Sequence, residues 1–320
     1  MSHASDPNAK PHAQSAAHIA LPATHAEGHF PTNRIDTLAI IGVGLIGGSF
    51  AAAIRQAGAA QRIIGAGRRH EVLVEALELG LIDEIMSIEQ AAARADFILL
   101  ATPVGSYELI FKTIAPHVSD RAVITDGGST KNNVVQAARV GLGARVGQFV
   151  PAHPIAGSHL MGPTAAKADL YRGRQVVVCP LPENTTHAVD RVSHAWRACG
   201  AHVRSLDPKQ HDEVMATISH LPHWLAAVYM THVLTDPNSD LDLAMAGTGF
   251  ADFTRIAQGS DEMWRDIMMQ NREVMLAQIK AYQVVLSEAH QALEAGDELI
   301  LQAFLQRAAI ARREWEANRT

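Results

Sequence analysis

Apolar residues in this chain fall first into short runs and later into helical stripes. The β-branched stretch Thr37-Leu38-Ala39-Ile40-Ile41 reads as a buried strand. It runs into Gly42-Val43-Gly44-Leu45-Ile46-Gly47-Gly48-Ser49 and then Ala51-Ala52-Ala53-Ile54-Arg55-Gln56-Ala57, the pattern of a glycine turn entering a helix. Further strand-like runs fall at 62–66, 95–103, 122–126, 148–150 and 175–179. Helical patterns separate them at 71–79, closed by Gly80, at 107–118, and from the Gly127-Gly128 segment through Val140. A helix at 188–199 and a strand at 201–206 close this part. Such alternation predicts a parallel sheet covered by helices on both faces, a doubly wound α/β domain over 34–206. From Asp207 the strand signal stops. Met263, Trp264, Ile267, Met268, Met275, Ile279, Tyr282, Leu286 and Leu293 recur at helical spacing, and Gly296-Asp297 breaks the run before a last helix. An all-helical domain over 207–320 is expected. Its apolar stripe is longer than one small domain covers, which points to a homodimer through these helices, with packing inside one chain as the alternative.

Composition narrows the class. Of 320 residues 48% are hydrophobic and 19% charged, a globular balance with ample core. A net charge of −6 argues against nucleic acid or an anionic membrane surface as partner. No segment is long and apolar enough to span a bilayer. Cys179 and Cys199 imply no disulfide framework, and a reducing cytoplasm fits. Residues 1–33 are Ala-, His-, Pro- and Ser-rich without hydrophobic periodicity and are expected to be a disordered tail. Their histidines are irregularly spaced, so no metal site is expected there, and no apolar run of a secretory signal follows a basic start.

The glycine turn is the first chemistry-bearing feature. Gly42 permits the tight turn, Gly44 lets the backbone approach a pyrophosphate, and Gly47 lets the helix pack on its strand. Leu45 and Ile46 open a helix whose free N–H groups suit phosphate. Between a strand and a helix this is the fingerprint of a Rossmann-type dinucleotide site, to which Thr102-Pro103 at the end of a later strand are added. The second strand should end in Asp or Glu if the ribose of NAD is to be held, yet it reads Gly67-Arg68-Arg69. Two guanidinium groups can pair with a 2′-phosphate, which favours NADP, with NAD possible; a solvated arginine pair is the other reading.

Ser129 and His153 follow strands, where such a sheet delivers polar groups to its ligand crevice. His153 stands before Pro154 in an expected loop, where a structural histidine and a base are both open readings. Ser129 could equally cap the following helix. Arg255 could bind a carboxylate or pair with Asp252 or Asp261. His211, His220 and His223 invite a metal reading, but Pro222 perturbs the helical spacing.

Taken together, the glycine turn, Asp126-Gly127-Gly128-Ser129-Thr130-Lys131, His153-Pro154-Ile155-Ala156-Gly157-Ser158, His211-Asp212, Ser219-His220-Leu221-Pro222-His223 and Asp252-Phe253-Thr254-Arg255-Ile256-Ala257 with Trp264 resemble the prephenate/arogenate (cyclohexadienyl) dehydrogenase family of tyrosine biosynthesis. The resemblance covers about residues 36–290. It implies oxidative decarboxylation of prephenate or arogenate with hydride transfer to NAD(P). His153 would be the catalytic histidine, Ser129 its hydrogen-bonding companion and Arg255 a substrate carboxylate ligand. Ser219, His223 and Trp264 would line the pocket. Two positions depart from the family pattern: the acidic ribose ligand is missing, and His159 stands where a Glu is often found, so His159 joins the substrate-binding candidates. A 3-hydroxyacid dehydrogenase with a helical second domain would call for a lysine base in place of the His-Pro segment. A dinucleotide-sensing module would have no use for Ser129, His153 and Arg255 together.

Overall fold

A computed structural model of the chain describes residues 34–157 and 160–318. The tail at 1–33 and His159 lie outside the described residues. The first half runs β1 (Ile35–Ile41), α1 (Leu45–Gln56), β2 (Ala60–Ala66), α2 (His70–Glu78), β3 (Glu84–Ile85), α3 (Ile88–Arg94), β4 (Phe97–Leu100), α4 (Tyr107–Ile114), β5 (Val123–Asp126), α5 (Asn132–Leu142) and β6 (Phe149–Val150). These strands form a six-stranded sheet in the order β3-β2-β1-β4-β5-β6, and every pairing is parallel. Alternate side chains of a strand point to opposite faces, and β1 feeds two cores in this way. Leu38 and Ile40 pack with Phe50, Ile54 and Trp196 on one face, whereas Ala39 and Ile41 pack with Tyr107, Phe111 and Val134 on the other. The continuous apolar runs of the sequence are strands buried on both faces.

The chain goes from β1 to β2 on one side and returns to β4 on the other. The crevice at this switch point, beyond the carboxyl ends of β1 and β4, is where doubly wound sheets bind ligands.

The later strands depart from expectation. β7 (Ala152–Pro154), β8 (Gln175–Val178) and β9 (His202–Ser205) do not extend the parallel sheet; they build a second one, with β7 antiparallel to β8 and β8 parallel to β9. β6 is a two-residue strand, and Pro151 directly after it cannot donate a ladder hydrogen bond, so the chain leaves the main sheet there. The Pro151 carbonyl instead accepts from the Cys179 amide, 2.8 Å, and binds the second sheet. α6 (Thr186–Ala198), between β8 and β9, brings Trp196 back under the main sheet.

The remainder is helical: α7 (Pro208–Met215), a π turn (Ala216–His220), α8 (Leu221–Thr235), α9 (Ser239–Ala244), α10 (Thr248–Thr254), a 3-10 turn (Arg255–Gln258), α11 (Asp261–Gln270), α12 (Arg272–Glu294) and α13 (Glu298–Ala317). Among the described residues no helix is long and apolar enough to cross a membrane. Cys179 and Cys199 are free and buried.

Candidate active site

The glycine turn has the geometry its residues imply. Gly42 sits at φ +98°, a backbone conformation other residues rarely adopt, and a Cβ there would lie 2.8 Å from the Ala101 carbonyl oxygen at the end of β4. A Cβ on Gly47 would meet the Gly42 carbonyl at 2.1 Å, which forces a glycine where α1 crosses the turn. Gly44, by contrast, faces open space. It is the N-cap of α1 and supplies no side-chain cap, leaving the amides of Leu45 and Ile46 for an anion. An open cradle over uncapped amides fits a dinucleotide pyrophosphate. Thr102, on the far wall, bonds through Oγ1 to Ser106 Oγ at 2.9 Å, and Pro103 follows it at the surface.

Gly67 follows β2 directly beside this turn, since a Cβ on it would lie 3.9 Å from the Gly42 amide nitrogen. Arg68 and Arg69 are exposed, and neither forms an ion pair among the described residues.

The other half of the crevice is built around Asp126, at the end of β5. Its buried carboxylate accepts from Lys131 Nζ at 2.6 Å and the Gly128 amide at 2.8 Å through Oδ2, and from the Ala152 amide at 2.9 Å through Oδ1. It thereby locks the start of β7. His153, expected in a loop, is the middle residue of this strand, opposite Val177. A Cβ on Gly127 would lie 2.9 Å from Ile46 Cγ2 and 3.8 Å from Pro154 Cδ, so α1 and β7 meet across this glycine.

His153 Nδ1 lies 2.9 Å from Nε2 of His211 on α7, and His211 Nδ1 lies 2.8 Å from Asp212 Oδ1. Ser129, the expected companion, is half-buried on the loop and makes no side-chain hydrogen bond among the described residues. Ser129 is not the helix cap either, because α5 starts three residues later. A distant side chain takes that role: Asp212 accepts from the Lys131 and Asn132 amides, both at 2.8 Å. Burial, reinforced by His211, Lys131 and His220, holds the His153 imidazole well below its ordinary range.

Next along the crevice, α7 widens into the π turn, where the Leu221 amide bonds back to Ala216. Pro222 has no N–H to return to Ile218, and the wider turn accommodates its ring. His220, buried in this turn, meets Asn271 Nδ2 at 3.3 Å, and burial pulls its pKa down to about 4. Asn271 also donates to the Asp212 carbonyl at 2.9 Å, tying α7 to the start of α12. His223 stacks on Trp264, with centroids 3.5 Å apart and planes at 25°, and its Nδ1 lies 3.3 Å from the Ser219 carbonyl. Burial lowers its pKa against the opposing Ser219 carbonyl, and the charge of Arg255 lowers it further.

Arg255 opens the 3-10 turn, exposed, without an ion pair to Asp252, Asp261 or any other described residue. Contacts thus run from His153 through His211, Asp212, Asn271 and His220 to Trp264 and His223. The parts that sequence reading missed are the His153–His211–Asp212 connection and the Asp126–Lys131 lock. The signal available, His211-Asp212 adjacent in sequence, says nothing of which strand they face.

Comparison with known proteins agrees with this architecture. The family model for the nucleotide-binding domain of prephenate dehydrogenase matches residues 50–205, and that for its dimerization domain matches 207–307. Prephenate dehydrogenase of Bacillus subtilis is 38% identical over 249 residues, 75% of this chain and 66% of that protein. The Lactococcus lactis prephenate dehydrogenase is 31% identical over 283 residues, 88% of this chain and 77% of that protein. The crystal structure of prephenate dehydrogenase from Aquifex aeolicus, in complex with hydroxyphenyl propionate and NAD+, superposes with a TM-score of 0.82 at 33% identity, covering 87% of this chain and 98% of that one. A dinucleotide cradle at the switch point, a histidine held beside it and family matches over both halves lead to one assignment: this chain belongs to the prephenate dehydrogenase family.

Proposed function

We propose that the chain catalyses oxidative decarboxylation of prephenate, arogenate or both in tyrosine biosynthesis, with NADP+ as the preferred oxidant. The observation that carries this reading is His153: its Nδ1 is held by His211, and its Nε2 has no partner among the described residues, next to the dinucleotide cradle. The cradle of Gly42, Gly44, Leu45, Ile46 and Gly47, with Thr102 and Pro103 opposite, would hold the dinucleotide, which supplies a hydride acceptor for the ring carbon bearing the hydroxyl. His153 takes the hydroxyl proton at Nε2 as that carbon is oxidised. It returns the proton to the phenolic oxygen once carbon dioxide has left and the ring is aromatic, so no net proton is released. A half-buried, neutral imidazole suits this task, which is typically worth ~10²–10⁴-fold. Arg255, a planar cation without a protein partner among the described residues, would bind a substrate carboxylate. Ser219, His223 and Trp264 would form the adjoining wall. Ser129 offers its unengaged hydroxyl from the loop before α5, and His159 is assigned to the same pocket from its place in the sequence.

NADP+ preference rests on Gly67-Arg68-Arg69 beside the turn. The second copy that completes a homodimer would cover the apolar faces of the C-terminal helices. A cytoplasmic site of action is supported by two buried cysteines without a disulfide.

Both substrates assayed with both cofactors test the reading. NADP+ should give the higher kcat/KM, and Gly67→Asp with Arg68→Ser should move preference toward NAD+. An added Cβ at Gly67 has its nearest neighbours at 3.9 Å, so that substitution changes charge with little change in packing. Equal use of both cofactors by the unmodified protein contradicts the NADP+ assignment.

A further inference from the structure

The proposed reaction needs a lone pair on one particular nitrogen of His153, and a neutral imidazole can place it on either. We propose that His211 and Asp212 are positioning residues that fix the His153 tautomer, with the proton on Nδ1 and the lone pair on Nε2. This inference rests on the assignment of His153 as the base.

The argument runs outward from Asp212. Its Oδ1 accepts the Lys131 amide and its Oδ2 the Asn132 amide, both at 2.8 Å. Burial raises its pKa, but the His211 hydrogen bond and these amides outweigh that effect and hold it below the usual carboxylate range. An ionised carboxylate only accepts, so His211 Nδ1, 2.8 Å from Oδ1, carries a proton. Burial keeps His211 neutral, and its Nε2 is therefore an acceptor. His153 Nδ1 lies 2.9 Å from that acceptor, a distance at which two lone pairs repel and an N–H bonds. A neutral His153 protonated on Nδ1 has its lone pair on Nε2.

The relay is dry, with His211 fully buried and Asp212 2% exposed, so water cannot replace either partner. It also crosses the fold. Asp212 sits on α7 but draws its amides from the start of α5, while His153 sits on β7, whose first amide Asp126 holds. When His153 takes a proton, the new imidazolium faces His211 and, behind it, the negative Asp212, while the charge of Lys131 opposes it.

The test is the ring tautomer of His153 in the full-length protein labelled with ¹⁵N-histidine, read from long-range proton–nitrogen correlations and assigned by the resonance missing in His153→Asn. The expected result is Nδ1–H with an unprotonated Nε2. In Asp212→Ala His211 Nδ1 loses its acceptor, so neither ring is held in one tautomer and Nε2–H becomes populated on His153. That variant should lose about 10²-fold or more in kcat while KM stays within about threefold. Nε2–H in the wild type, or a folded Asp212→Ala with the wild-type tautomer and turnover, overturns the proposal. Because Asp212 also caps α5, a second pair guards against misfolding. His211→Gln keeps an acceptor for His153 Nδ1 and should retain at least about a tenth of kcat, whereas His211→Leu should fall by about 10²-fold. Equal turnover in the two variants overturns the relay. His153→Asn separates the claims: undiminished turnover there overturns the base assignment, whereas a wrong wild-type tautomer overturns the relay even if His153 is essential.

Discussion

His153 shows how much one side chain owes to its surroundings. An ordinary histidine is partly protonated near pH 6.5, but burial, then His211, Lys131 and His220, hold this one well below that value. A base works only when neutral, so activity is lost as pH falls through the folded-state pKa and is unaffected above it. The acid limb of kcat/KM against pH should therefore lie below 6.5, and a limb at or above that value would show that the imidazole is not desolvated as described. Position alone left His153 and Arg255 open between structural and chemical roles, and the family resemblance made them candidates. Their partners were not legible in the sequence. His153 and His211 are 58 residues apart, and no local pattern says that α7 will bring an imidazole to β7. Ser129 was expected as companion from the family resemblance alone, and the bond that the structure shows at His153 Nδ1 goes to a residue far along the chain.

Between β5 and β7 the connection depends on one buried ion pair. Lys131 and Asp126 are both fully buried at 2.6 Å, and the remaining acceptor capacity of Asp126 is used by the Gly128 and Ala152 amides. Removing one partner leaves an uncompensated charge in the interior. Lys131→Met should cost ~3–5 kcal/mol of stability by denaturant titration, with Asp126→Asn in the same chain recovering part of it. A loss below about 1 kcal/mol would show that water reaches the site. β1, β2, β4 and β5 were legible because strands buried on both faces read as unbroken apolar runs. β8 read as a strand for the same reason, but periodicity does not specify a partner, and its pairing with β7 and β9 follows from the exit of the chain at Pro151. The π turn was foreshadowed only by Pro222, which signals a perturbed helix without saying that the turn will widen.

Taken as a single chain, the molecule leaves its C-terminal helices incompletely covered. Ile267 and Met275 are buried, but Leu286 and Leu293 on α12 and Leu299 on α13 are 56%, 63% and 78% exposed. The stripe was legible in sequence; which part of it stays exposed follows only from the packing. Exposed apolar faces of this extent are expected to be buried by a second copy, and light scattering should give about twice the mass of one chain. A fully active monomer at micromolar concentration would contradict this. In the proposed reaction both halves of the chain contribute, β7 the base and the helices the substrate wall. The decisive comparison is therefore steady-state turnover of prephenate with NADP+ by the wild type and by His153→Asn, with cofactor binding measured on each. The wild type should form one 4-hydroxyphenylpyruvate for each NADPH. His153→Asn should bind the cofactor as before and turn over ~10²–10⁴ times more slowly. Near-normal turnover by the folded variant would contradict the account.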